Sequence, residues 1–147
     1  MNPMDELESG HYFSPEEVNV LIPKLEEHFQ NFWALRENAQ VILQELRKKV
    51  PDVREFEPEV LAHQQMRQSQ AHFLLEQAKS SLDAIMEMGA VIKDLSIGLV
   101  DFPHYSPETE EEVFLCWKYG EKKVRHWHDI DEGFGAPKPL RNKSNPQ

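Results

Sequence analysis

"VPDVREFEPEV", residues 50–60, separates two long helical patterns, and its reading decides the fold. Pro51 cannot continue a helix, while Pro58 suits the first turn of a new one. A connection this short turns the chain back on itself and makes the flanking helices antiparallel. The reversal centres near Arg54, so facing residues carry numbers summing to roughly 108.

Upstream, Ser14, Pro15 and Glu17 in "SPEEV" carry the signature of a capping box with proline at the first helical position. Apolar residues then alternate at four and three: Val18, Ile22, Leu25, Phe29, Phe32, Ala39, Leu43, Leu46 and Val50, broken only by Arg36. That period predicts an amphipathic helix from Ser14 to about Lys49, loosened at Pro23. Downstream, Ala71, Leu74, Ala78, Ser81, Ile85, Met88, Ile92 and Leu95 predict a second helix from about Pro58 to Ile97, stopped by Gly98. Its early part, "HQQMRQSQAH", is polar, and in the antiparallel register Arg36 faces it near His72. The hairpin spans residues 14–97 and is roughly 50 Å long at 1.5 Å per residue.

After Gly98 the period changes. "LVDFPH", "EVFLCWKYG" and "KVRHWHDI" are short, β-branched or aromatic, and bounded by turns. "YGEKK" reads as a tight turn at Gly120 and "YSPETEEE" as a solvated acidic loop. The expected fold class is mainly α with a small β element. It is a long antiparallel helical hairpin carrying a two- or three-stranded antiparallel sheet, residues 99–130, at one end. Residues 14–135 form the single domain, 1–13 a flexible N-terminus and 136–147 an extended tail. Two helices of this length leave broad apolar faces, which predicts self-association, with a homodimer as the simplest form.

The formal charge of −10 over 147 residues argues against nucleic acid and anionic membranes as partners. No stretch is apolar for the twenty or so residues of a membrane span. "MNPMDELESGHYF" lacks the basic-then-apolar order of a secretory signal. Cys116 stands alone, which suits a reducing cytoplasm and a buried, small hydrophobic role.

"VRHWHDIDEG", residues 124–133, holds the densest set of metal-binding side chains. On a strand, His126 and His128 share one face. Two imidazoles supply half a coordination shell, with Glu17, Asp101, Cys116, Glu121, Asp129 and Asp131 as possible supplements. Hairpin topology favours Glu17, because the start of the first helix returns to the sheet. His128, Glu17 and His126 are therefore the candidate metal ligands, for zinc, manganese or iron. The competing reading gives Glu17 to its cap and leaves the histidines on a solvated strand. Asp101 lies in an apolar context and needs a partner, with Arg125, Lys118 or a backbone turn as candidates. No nucleophile elbow, phosphate loop, CxxC pair or HExxH helix occurs. The remaining nucleophilic pairing sets Cys116 against His126 or His128 across neighbouring strands. Two functions follow: a non-catalytic, self-associating interaction or assembly protein, or a divalent-metal-binding protein, of which a metal-dependent hydrolase is one form.

The ordered segments "FSPEEVNVLIPKL", "GAVIKDLSIGLVDFP", "FLCWKYGE" and "WHDIDEGFGAPKPL" resemble the prokaryotic family called domain of unknown function 2203. The resemblance runs from Phe13 to Leu140 and implies a small bacterial or archaeal cytoplasmic protein without implying an activity. This chain departs from the family pattern at His126, an extra histidine, and at Lys138, where an arginine is usual.

Overall fold

The structure, a computed structural model, describes residues 11–48, 57–130 and 138–140. The expected reversal at 49–56, most of the N-terminus, Asp131 and the tail beyond 140 lie outside the described residues. Two helices and five strands follow in the order α1 (Pro15–Lys48), α2 (Pro58–Glu87), β1 (Val91–Asp94), β2 (Leu99–Ser106), β3 (Glu111–Lys118), β4 (His126–Asp129) and β5 (Lys138–Pro139). The helices pack as an antiparallel pair, and the strands form one antiparallel sheet ordered β1-β2-β3-β4-β5. The chain divides into two compact units, residues 27–84 and residues 1–26 with 85–147.

In the first of these units, the apolar stripe is buried at Phe29, Phe32 and Ala39 of α1, where Ile42 rather than the half-buried Leu43 continues it, and at Ala71 and Ala78 of α2. Small residues on α2 let the helices approach closely. Arg67 reaches from α2 to Glu45 of α1 at 2.7 Å, within about one turn of the expected register. Arg36, which breaks the stripe, lays its guanidinium over the Phe32 ring at 5.2 Å. His72 pairs with Glu76 on its own helix. Pro23, in the other unit, is accommodated within α1 without ending it.

In the other unit, α1 begins with the expected capping box. Glu17 N donates to Ser14 Oγ and Ser14 N to Glu17 Oε1, both at 3.1 Å. Val124 N donates to Asn19 Oδ1 at 2.7 Å, joining the first turns of α1 to the segment before β4. Phe13 N also donates to Pro103 O at 2.7 Å. The start of the first helix and the tryptophan-rich third thus come together, as chain reversal requires.

Three expected boundaries shift. The second helix stops at Glu87, ten residues before Ile97, because Gly89 adopts a left-handed φ of 102°. The freed residues Val91–Asp94 become a strand that pairs with β2. Gly98, expected to end the helix, instead sits at φ 67° in the turn between β1 and β2. There Asp94 accepts from Ser96 N at 2.9 Å and Ser96 Oγ at 2.6 Å, and these bonds pull its carboxyl below the usual range. In the expected tail, Lys138–Pro139 pairs with β4, so the sheet has five strands where two or three were expected.

Alternation gives the sheet two faces. Val100, Phe102, Val113, Leu115 and Trp117 share one face and are buried with Val18, Ile22, Leu25 and Ile85 in the core. Phe13 meets Phe102 edge-on at 4.9 Å. Asp101, Cys116 and His128 belong to the opposite face.

Gly89 and Gly120 both hold φ near +100°, but a Cβ at Gly89 would collide with the Phe13 ring, whereas one at Gly120 meets nothing within 4 Å. Both alanine variants carry left-handed strain of about 1–2 kcal/mol. Gly89→Ala is expected to lower the thermal midpoint clearly more than Gly120→Ala; equal losses would show that the Phe13 contact contributes nothing.

Candidate metal centre

The β2–β3–β4 register builds the site. Asp101 pairs with Cys116, and Cys116 with His126. His128 lies two residues farther along β4, opposite Phe114 and on the same face. Three adjacent strands therefore direct a carboxylate, a thiol and an imidazole into one space. One ligand atom from each of Asp101, Cys116 and His128 lies within 4.8 Å of the others. All three residues are enclosed, at 0%, 5% and 2% exposure respectively.

The hydrogen bonds fix how the imidazole is presented. His128 Nδ1 lies 2.9 Å from the Asp129 carbonyl oxygen, which can only accept, so Nδ1 carries a hydrogen. Nε2 lies 2.8 Å from Asp101 Oδ2. Two acceptors would not approach so closely, so a proton lies between them. The other carboxylate oxygen, Oδ1, is buried with no hydrogen-bond partner among the described residues. An unsatisfied buried acceptor costs about 1–3 kcal/mol.

Cys116 supplies the third donor. Its thiol is pushed up to about 12, first by burial and then by the Asp101 carboxylate, with Glu121 adding to the repulsion of a thiolate. Asp101 also attracts the thiol proton, yet no S–H bond of ordinary geometry reaches Oδ1. That attraction is best read as electrostatic. A thiol held protonated this firmly is a poor nucleophile, so the Cys116–His128 neighbourhood is not an activated nucleophile pair.

Among the candidate ligands read from the sequence, only His128 enters this cluster. Glu17 remains in its capping box, with its other oxygen 3.7 Å from His11 Nε2. His126 turns toward Glu121, with Nδ1 3.6 Å from Oε2. Asp129 binds Lys138 at 3.1 Å, and Lys138 also lies over the Trp127 ring. Asp101 and Cys116 take the places given to Glu17 and His126. The partner expected for Asp101 also changes: His128 faces it rather than Arg125 or Lys118, both exposed. Asp101 and Cys116 were visible as possible supplements, but only the strand register selects them.

These donors fit a borderline divalent ion. A thiolate, an imidazole nitrogen and a carboxylate oxygen suit zinc or ferrous iron, whereas magnesium and calcium favour oxygen shells. With Nδ1 bonded to the Asp129 carbonyl, Nε2 is the nitrogen that would face an ion, the usual way a backbone carbonyl orients a metal-binding histidine.

The family profile "Uncharacterized conserved protein (DUF2203)" matches residues 11–140. No curated protein and no solved structure matches the chain.

With the thiol near 12, the thiolate fraction at pH 8 is about 10⁻⁴. Cys116 in the folded protein is expected to resist a disulfide-exchange reagent at pH 8 and to react fully after denaturation. Rapid, stoichiometric labelling of the folded protein would contradict this description of the site.

Proposed function

The chain belongs to the uncharacterised conserved family DUF2203, and from that premise we propose that it is a divalent-metal-binding protein whose centre is Asp101, Cys116 and His128. The observation that carries this reading is the convergence of three unlike donors, their ligand atoms within 4.8 Å, around a carboxylate oxygen that has no hydrogen-bond partner among the described residues. A cation would satisfy Oδ1, replace the proton between Nε2 and Oδ2, and deprotonate the thiol, since metal coordination readily overcomes a raised thiol pKa. Zinc or ferrous iron fits better than manganese because one donor is sulfur. The enclosure of all three residues favours holding an ion over turning over a substrate, so hydrolysis is the weaker form of this reading.

Self-association is a second reading, favoured by a separate observation. Phe73 and Met66 on α2 are 61% and 57% exposed, and Val41 on α1 and Leu61 on α2 are also exposed. Exposed large apolar residues on a long helical pair, with Met66 and Phe73 on one face of α2 at seven-residue spacing, suit burial against another copy of the chain. This would make the hairpin an assembly element alongside the metal centre.

Elemental analysis of protein purified without chelator or an affinity metal tests the first reading. Close to one zinc or iron per chain is expected, with loss in Cys116→Ser and in His128→Gln variants that retain their far-ultraviolet dichroism. Zinc at a hundred times its Kd should add about 2.7 kcal/mol of stability to the wild type. Substoichiometric metal that cannot be restored, or retention in both variants, contradicts the centre.

Sedimentation tests the second reading. A mass near twice 17.2 kDa is expected, shifting toward the monomer in a Met66→Glu, Phe73→Glu double variant. A wild-type monomer at tens of micromolar contradicts it.

A further inference from the structure

The proposed centre is closed, which raises the question of how an ion would reach it. Asp101, Cys116 and His128 are at most 5% exposed. Beside them stands a second pair of donors with solvent access. His126 is the cross-strand neighbour of Cys116, and its side chain is 41% exposed. Glu121, in the turn after β3, is 20% exposed and sets Oε2 3.6 Å from His126 Nδ1.

The turn holds Glu121 in position. Lys118 N donates to Glu121 Oε1 at 2.8 Å, and Trp117 Nε1 donates to the Glu121 carbonyl at 2.9 Å. Trp117 is itself fully buried, so the turn is anchored to the core. His126 contributes nothing needed to this anchoring, and an ion pair at 3.6 Å on a half-exposed histidine stabilises a fold little.

Resting on the metal-centre reading, we propose that Glu121 and His126 form an outer capture pair, which receives a borderline divalent cation from solvent and passes it to Asp101, Cys116 and His128. The outer carboxylate and imidazole bind the partly hydrated ion. Cys116 Sγ, Asp101 Oδ1 and His128 Nε2 then replace them one at a time. The thiol proton and the proton between Nε2 and Oδ2 leave to solvent, so two protons depart for each divalent ion bound. Glu121 and His126 return to their pairing and are not ligands in the loaded state.

Stopped-flow mixing with cobalt(II), read at the near-ultraviolet thiolate-to-cobalt charge-transfer band, separates this step from the centre itself. The wild type should develop the band, and Cys116→Ser should not. A Glu121→Gln, His126→Ala double variant should reach the wild-type final spectrum at least about tenfold more slowly, the scale on which a local charge alters capture. Glu121→Gln alone keeps an acceptor for Lys118 N and should be slowed in the same direction, which guards against misfolding of the double variant. If the variants load at the wild-type rate, the capture pair is overturned and the centre stands. If their final band differs from the wild type, Glu121 or His126 is a ligand and the capture role is overturned. If the wild type gives no band, centre and capture pair fall together.

Discussion

A carboxylate with no solvent exposure has to be neutralised, and among the described residues Asp101 meets its counter-group on another strand of the sheet. One oxygen faces His128 Nε2 at 2.8 Å; the other has no partner among the described residues. Breaking such a pair by removing one member strands a buried charge, a loss of about 3–5 kcal/mol. An apolar pair of similar volume could fill the space without that liability. The arrangement is a stability cost that a bound cation would offset, and this is the physical ground for the proposed metal centre.

The sheet register controls that arrangement. A slip of one residue between β3 and β4 would turn His128 to the other face and leave Asp101 without its partner. Several features hold the register in place: eight continuous pairs between β2 and β3, the Gly120 turn, and the bond from Val124 N to Asn19 that ties the approach to β4 onto α1. The capping box at Ser14 contributes by fixing where α1 begins, and therefore where Asn19 stands. A helix start near residue 14 thus acts on donors more than eighty residues away along the chain.

Much of this was legible in the sequence. The Ser14–Glu17 box, the four-three stripe of the first helix and the three strand patterns that follow Gly98 each have a local cause, and each appears in the structure. The end of the second helix was harder to read. Met88, Ile92 and Leu95 continue a helical period, while the left-handed φ of Gly89, beside the Phe13 ring, ends the helix and shows in no local pattern. The edge strands β1 and β5 were missed because they are short and owe their pairing to neighbours rather than to their own pattern. The candidate cluster was half legible. His128 was found from its spacing to His126, but that spacing also promoted His126, which faces Glu121. Asp101 and Cys116 lie fifteen residues apart on different strands. No local motif links them, and only the cross-strand register joins them.

X-ray absorption at the metal edge of zinc-loaded protein reads the proposed coordination most directly. The account predicts one sulfur at about 2.3 Å with nitrogen and oxygen neighbours at about 2.0–2.2 Å, the sulfur disappearing in Cys116→Ser. A shell of nitrogen and oxygen alone in the wild type would place the ion elsewhere and contradict the Asp101–Cys116–His128 centre.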